Sequence, residues 1–418
     1  MRNKHFSYQF FQYTYLSYAI YLAILWMFVN YGGRGLQPYD GSGIHWLMIT
    51  VPLFLFMGTA LFLIIARPYL ERNPIILFLM LYTCSVIIVA LLNIDIKHIS
   101  EIIRWAIPVI LIVHFKSYMP LRVLNILFLL AIVVIVFTFD PIDSDYGFLP
   151  DQTTTNLHQG LWWRVSIWKY LTPPYSAAFS IIVFFANYFL NQGKSRVIFY
   201  MLSFYFILFS ASRTGYIIFF IIFSVILLSK FYKFKFNKLY GYLPIASVIF
   251  IFSLQFFADL LPLLDIQNDF FNSAILRNND SNGDAKNLSS RFLIILEHIR
   301  LVQVAGVSGL FGIGSDIYLS PAWTSNGGGL GGTADSYISH LIARDGLSIL
   351  FLIAAFMFFF IEAMKNKNFL AYIVLLSLLI YTVGYGAWLN LTSPVFVIFL
   401  GFIYQPQAIK EVKEKSKI

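Results

Sequence analysis

A chain of 418 residues that is 59% hydrophobic and only 12% charged, with mean hydropathy +0.74, holds more apolar surface than a soluble domain of its length can hide. Its apolar runs are continuous rather than alternating, which argues against a transmembrane barrel and predicts an all-α protein that crosses a membrane repeatedly. The net charge of +9 would suit nucleic acid, but the placement of the basic residues assigns it to membrane topology instead.

The first apolar run follows MRNKH and extends from about 10 to 31. It is long enough to span and no small-x-small cleavage site is evident, so it is predicted to be a retained helix rather than a signal peptide. Further runs lie near 45–66, 75–94, 101–115, 123–140, 176–190, 197–212, 215–232, 239–258, 346–364, 369–388 and 391–405. Together they make about twelve predicted transmembrane helices in a single membrane domain covering 1–418. With both termini cytoplasmic, 18 of the 29 basic residues fall on inside segments, and 16 of the 20 acidic residues fall outside or near the outer face. This asymmetry follows the positive-inside rule and leaves no charge to explain by a nucleic-acid partner. Cys84, the only cysteine, lies inside an apolar run, so neither a disulfide framework nor a Cys/His metal site is expected.

Two outer connections are long, a medium loop over 141–175 and a large loop over 259–345. Loops held on a rigid scaffold are where binding and catalysis concentrate. The medium loop carries LWWRVSIWKYLTPP, with tryptophans around Arg164. Trp163 and its neighbours suit the faces of sugars, and they equally suit an interfacial aromatic belt. Within the large loop, SSRFLIILEHIRLVQ reads as a helix from about Ser289, with Ser289 or Ser290 as N-cap. Arg291 and His298 then share a face, while Glu297 and Arg300 are spaced to pair. The stretch SNGGGLGGT lacks the Lys-Ser/Thr and the strand–helix setting of a P-loop and reads as a hinge or lid. Asp316, after GLFGIGS, reads as a turn residue.

The segment FSASRTGYIIFF places Arg213 at the outer junction of the seventh and eighth runs. A charge at the bilayer centre costs about 2.5–3.5 kcal/mol on insertion scales. Arg213 therefore either snorkels from a tight turn, with Ser212 and Thr214 as polar neighbours and Gly215 easing the bend, or faces a polar cavity and binds an anion. A guanidinium suits phosphate because its fork makes two parallel hydrogen bonds and keeps its charge.

SRTG between two apolar runs, then a large outer loop carrying SSRF, GLFGIG and ADSYISHLIARDGL before the next run, resembles the bacterial O-antigen polymerase and O-antigen ligase superfamily. The likeness covers about Ser212 to Leu350; the rest of the chain matches in helix number and hydropathy. The resemblance implies a GT-C-like fold and a metal-independent glycosyltransferase without cofactor, in the bacterial inner membrane with its active site toward the periplasm. Its substrates would be undecaprenyl-diphosphate-linked glycans, in contact with membrane lipids, and a chain-length regulator protein is a further implied partner. Arg213 matches the family's SRxG arginine and Arg291 the arginine opening the loop helix, so both are expected to contact diphosphate, with Arg300 as a third candidate. Without a divalent ion, such arginines would neutralise the leaving group.

The family's usual element before the next span is similar to His-Asn-x-Tyr-Leu followed by a glycine; here Asp335, Ser336, Tyr337 and Ile338 stand in its place, with Gly346 as the glycine. Asp335 thus occupies the position of a histidine in ligase-like members, and this variant looks more like polymerases. The base for the acceptor hydroxyl is then Asp335 or His340, which lies off Asp335's helical face. Tyr337, His298, Trp163 and Arg164 are candidates for glycan contact. The resemblance implies a surface-polysaccharide polymerase of lipopolysaccharide biosynthesis. The alternatives are a ligase transferring glycan to lipid A-core and a flippase for lipid-linked oligosaccharide.

Overall fold

The computed structural model describes residues 2–28, 43–66, 73–138, 165–166, 173–210, 212–231, 238–256, 298–314, 337–384 and 394–405. Its long helices are α1 (Arg2–Phe28), α2 (Gly43–Ala66), α3 (Pro74–Leu92), α4 (Ile96–Phe115), α5 (Leu121–Thr138), α6 (Pro173–Leu190), α7 (Arg196–Phe209), α8 (Arg213–Phe231) and α9 (Lys238–Phe256). After a helical stretch over 298–304 and a 3₁₀ turn at Ser308–Phe311 come α10 (Tyr337–Asp345), α11 (Ile349–Lys365), α12 (Phe369–Gly384) and α13 (Pro394–Ile403). Each apolar run of the sequence overlaps one described helix, and no strand occurs among the described residues.

The helix boundaries follow local chemistry. Asn73 caps α3 by accepting from the Ile75 N–H at 2.9 Å, with Pro74 in the first turn where a missing N–H costs nothing. Asp95 caps α4 by accepting from the His98 N–H at 3.0 Å, which starts that helix five residues earlier than its apolar run. Apolarity alone cannot see this start, because Ile96–Ser100 is polar enough to fall outside the run. The run at 346–364 is only the distal part of a longer helical segment: α10 precedes it, and the turn Gly346–Ser348 joins α10 to α11.

Among the described residues, four segments are long and apolar enough to cross a membrane: Pro74–Leu92, His98–Phe115, Thr214–Phe231 and Ser339–Lys365. Their surfaces are those of an α-helical membrane protein. On α3, Ile75, Leu79, Tyr82, Val86 and Ala90 face inward at helical spacing, yet the outward face is also apolar, with Leu77, Met80, Leu81, Ile88 and Leu91 exposed. A contiguous apolar face of this kind is unfavourable in water and natural in lipid.

At the centre of the bundle, α12 and α13 are apolar all round and buried on nearly every side. The helix α12 packs on α8, α9, α11 and α13, while α1 packs on α2, α5 and α13. Elsewhere α6 packs along α7, and α3 lies between α4 and α11.

Because lipid tails are as apolar as leucine, register between helices rests on close packing and polar contacts. One set joins the chain's distant ends. The Gln12 amide donates to the Tyr118 carbonyl at 2.7 Å and accepts from the Tyr118 N–H at 3.0 Å, and the Tyr15 hydroxyl donates to the Val397 carbonyl at 2.7 Å. Met119 donates its N–H to the Gly401 carbonyl at 2.8 Å and accepts from the Gln405 amide, also at 2.8 Å. The backbone of the α4–α5 connection is thus satisfied by α1 and by the end of α13.

A second set is the reciprocal amide pair between α5 and α6, in which Asn125 and Asn187 donate to each other at 3.0 and 2.8 Å. Asn191 also donates to Asn187 at 2.9 Å. Asn187→Leu is expected to lower stability by about 1 kcal/mol or more by leaving these groups unpaired. A drop in the thermal midpoint of detergent-solubilised protein, larger than that of Asn191→Ala, checks it.

Candidate functional site

Two elbows meet at one end of the bundle. One is the α3–α4 turn through Asn93, Ile94 and Asp95; the other is the α10–α11 junction at Asp345 and Gly346. They are brought together because α3 packs on both α4 and α11 and touches the Gly346–Ser348 turn. The GLFGIG segment packs on the same turn, with the Ile313 N–H donating to the Ala343 carbonyl at 2.9 Å. Gly346 has a φ of +57°, and a Cβ there would collide with the Leu310 carbonyl and the Gly312 nitrogen. Only glycine allows both this left-handed turn and this close approach.

Between the elbows lies a buried charge cluster. Asp345 is 1% exposed and Arg344 is 3% exposed. The Asp345 carboxylate accepts from Arg344 Nε at 2.8 Å and from a second guanidinium nitrogen at 3.1 Å. It pairs with His98 Nε2 at 2.8 Å and accepts from the Tyr82 hydroxyl. Tyr82 is backed by Trp105, their ring centroids 5.3 Å apart. One carboxylate therefore gathers donors from α3, α4 and α10. Its charge balances Arg344 where water cannot, which is the condition for keeping an ion pair in an apolar interior. Since a carboxylate only accepts, the pairing puts the ring proton of neutral His98 on Nε2.

A second group continues from it along α10. His298 Nδ1 is 2.9 Å from the Ser339 hydroxyl, and the rings of His298 and His340 stand edge to face at 5.9 Å. Both histidines are buried, and His340 is within electrostatic reach of Arg344, Asp345, His98 and His298. The cluster thus contains three of the chain's seven histidines.

The SRTG segment forms the tight α7–α8 turn. Ser212 accepts from the Gly215 N–H at 3.1 Å, and its carbonyl accepts from the Tyr216 N–H at 2.9 Å. A Cβ at Gly215 would sit 2.7 Å from the Ala177 Cβ, so glycine lets α8 approach α6. The serine and the glycine of the motif are therefore accounted for by local structure. Arg213 is the first residue of α8, and its side-chain placement is not among the described features.

Of the other sequence-predicted residues, the structure brings His298 and His340 together and places Arg300 on the exposed side of the 298–304 stretch. Tyr337 opens α10, with its side chain outside the description. Arg291, Glu297, Asp316, Asp335, Trp163 and Arg164 lie outside the described residues, as do most of the 141–175 loop and the Gly-rich stretch. Tyr82, His98, Ser339, Arg344 and Asp345 are additions that the structure supplies. A signal for three of them was present: Asp95-x-x-His98 and Arg344-Asp345-Gly346 both place charge at the edge of an apolar run on the same predicted side.

No protein-family model matches the chain, and no curated protein matches it significantly.

Asp345→Ala strands Arg344 without its counter-charge and is expected to cost about 3–5 kcal/mol of stability. The double replacement Arg344→Met with Asp345→Leu, which removes both charges, is expected to be several-fold less damaging. Thermal unfolding of the three proteins in one detergent compares them directly.

Proposed function

We propose that this chain is a surface-polysaccharide polymerase of the O-antigen type, a twelve-span, GT-C-like protein of the bacterial inner membrane. Both termini are cytoplasmic on this reading, and the two elbows with their buried cluster face the periplasm. The growing glycan leaves undecaprenyl diphosphate and joins a sugar hydroxyl on another lipid-linked repeat unit. Arg213 and Arg291 hold the diphosphate and offset the charge growing on the leaving oxygen. Arg300 is a further candidate for this contact, and Tyr337, His298, Trp163 and Arg164 are candidates for glycan contact. The resemblance offers Asp335 or His340 as the group that would receive the acceptor's proton.

The observation that carries the reading is the convergence of two separate pieces of the resemblance. GLFGIG and ARDG, far apart in the large loop, pack on one another beside a buried polar cluster, with His340 inside it. A chain so poor in charge concentrates a carboxylate, a guanidinium, a phenol and three imidazoles at one end of an apolar bundle. Ionisable groups buried in an apolar helix bundle are candidates for a functional site. The polymerase is favoured over the ligase because Asp335 stands where ligase-like chains carry histidine.

Purified chain given undecaprenyl-diphosphate-linked repeat units is expected to yield longer lipid-linked glycans. Loss of the gene is expected to leave single repeat units on the lipid A-core. Polymer stranded on its lipid carrier would identify a ligase instead, and failure of lipid-linked units to reach the outer leaflet would identify a flippase. Arg213→Ala and Arg291→Ala are expected to insert normally and to lose about 10²-fold or more in turnover. A variant that polymerises at the wild-type rate removes that arginine from the site.

A further inference from the structure

We propose that His98 is the base of the transfer, taking the acceptor hydroxyl's proton on Nδ1 while Asp345 holds the ring through Nε2–H. The inference rests on the glycosyl-transfer reading and names a proton acceptor other than Asp335 or His340.

The geometry is that of a carboxylate-oriented imidazole. Asp345 Oδ1 lies 2.8 Å from Nε2, which fixes the tautomer and leaves the Nδ1 lone pair as the basic position. That Nδ1 is buried and has no hydrogen-bond partner. A buried acceptor left unsatisfied costs about 1–3 kcal/mol, and such groups persist where function needs them. His298 Nδ1 is engaged with the Ser339 hydroxyl rather than with a carboxylate.

What covers His98 Nδ1 also matters. A Cβ built on Gly314 would lie 3.3 Å from Nδ1 and would collide with the Asp95 carboxylate. The position is therefore roofed by a glycine of the GLFGIG turn, with φ +59°, rather than by a bulky side chain. In this proposal the acceptor hydroxyl reaches Nδ1 past this glycine, where no side chain of the turn stands in the way.

In the step, the acceptor O–H gives its proton to Nδ1 as its oxygen bonds to the anomeric carbon. The bond from that carbon to the diphosphate oxygen breaks, and its electron pair leaves with undecaprenyl diphosphate. The imidazolium is stabilised by Asp345 and later releases its proton to water. Among the described residues, the charged and titratable groups around His98 are Asp345, Arg344 and His340 from α10, Tyr82 from α3, and Asp95 at its own helix cap. Asp345 is a positioning residue in this scheme.

The test uses full-length protein reconstituted with undecaprenyl-diphosphate-linked repeat units. His98→Gln keeps an amide donor near the Nε2 position but has no basic nitrogen. It is expected to retain the wild-type thermal midpoint and KM, to lose about 10²-fold or more in kcat, and to lose the fall in rate on the acid side of the pH profile. His98→Ala is expected to regain about tenfold on addition of imidazole, as a missing base allows. The inference is overturned if folded His98→Gln keeps more than about a third of wild-type turnover or an unmoved acid limb. Should His98→Gln fail to accumulate, the absence of imidazole rescue in folded His98→Ala overturns it. If the wild-type protein makes no longer glycan at all, the glycosyl-transfer reading fails first.

Discussion

A carboxylate buried in an apolar bundle must be matched on every side, and the arrangement at this end of the protein follows from that demand on Asp345. Its partners come from α3, α4 and α10, so satisfying one side chain fixes the mutual register of three elements. Apolar packing is a weak guide to register in lipid, where a leucine gains little by exchanging acyl chains for a neighbouring helix. The turn at 308–314 then fits against the two elbows through Gly312, where a Cβ would strike the Arg344 carbonyl, and Gly314, where one would strike the Asp95 carboxylate. Shape here is a consequence of charge matching.

The same economy explains why so few polar residues organise so large a fold. The Asn125–Asn187 pair and the bonds around Tyr118 and Met119 each join elements that the apolar sequence alone would leave free to slide. If Arg213 and Arg291 are the diphosphate ligands, they differ in kind from Arg344, whose charge is committed to Asp345. An arginine tied to a buried carboxylate serves architecture, and one that must meet a substrate has to keep its field available.

Helix positions were legible in the sequence because hydropathy reports directly on length and burial: every apolar run overlaps a described helix. Ends were less legible. The start of α4 depends on one Asp95 side chain, and the break between α10 and α11 on one left-handed glycine, neither of which alters mean hydropathy. His298 and His340 could be singled out from the loop sequence, but their meeting depends on how 298–304 lies against α10, a long-range fact. Tyr82 and His98 were missed for a related reason. Tyr82 sits in an apolar run where tyrosine is unremarkable, and nothing local to His98 points to a partner 247 residues away. Paired charge across a membrane protein is a property of topology and becomes visible once the runs are placed side by side.

The hydrogen bond from Tyr15 to the Val397 carbonyl joins residues 382 positions apart. During synthesis α1 enters the bilayer long before α13 has been translated, and chains of this size fold largely in the order they are made. The Tyr15 phenol and the Gln12 amide must therefore wait in the membrane with borrowed partners, whether water, headgroups or the insertion machinery. Gln12 finds its permanent partner once the α4–α5 connection with Tyr118 has entered, whereas that of Tyr15 arrives only when α13 docks. The early helices are thus held in a provisional state for most of translation, and the ribosome's progress to the α13 segment is what closes the bundle.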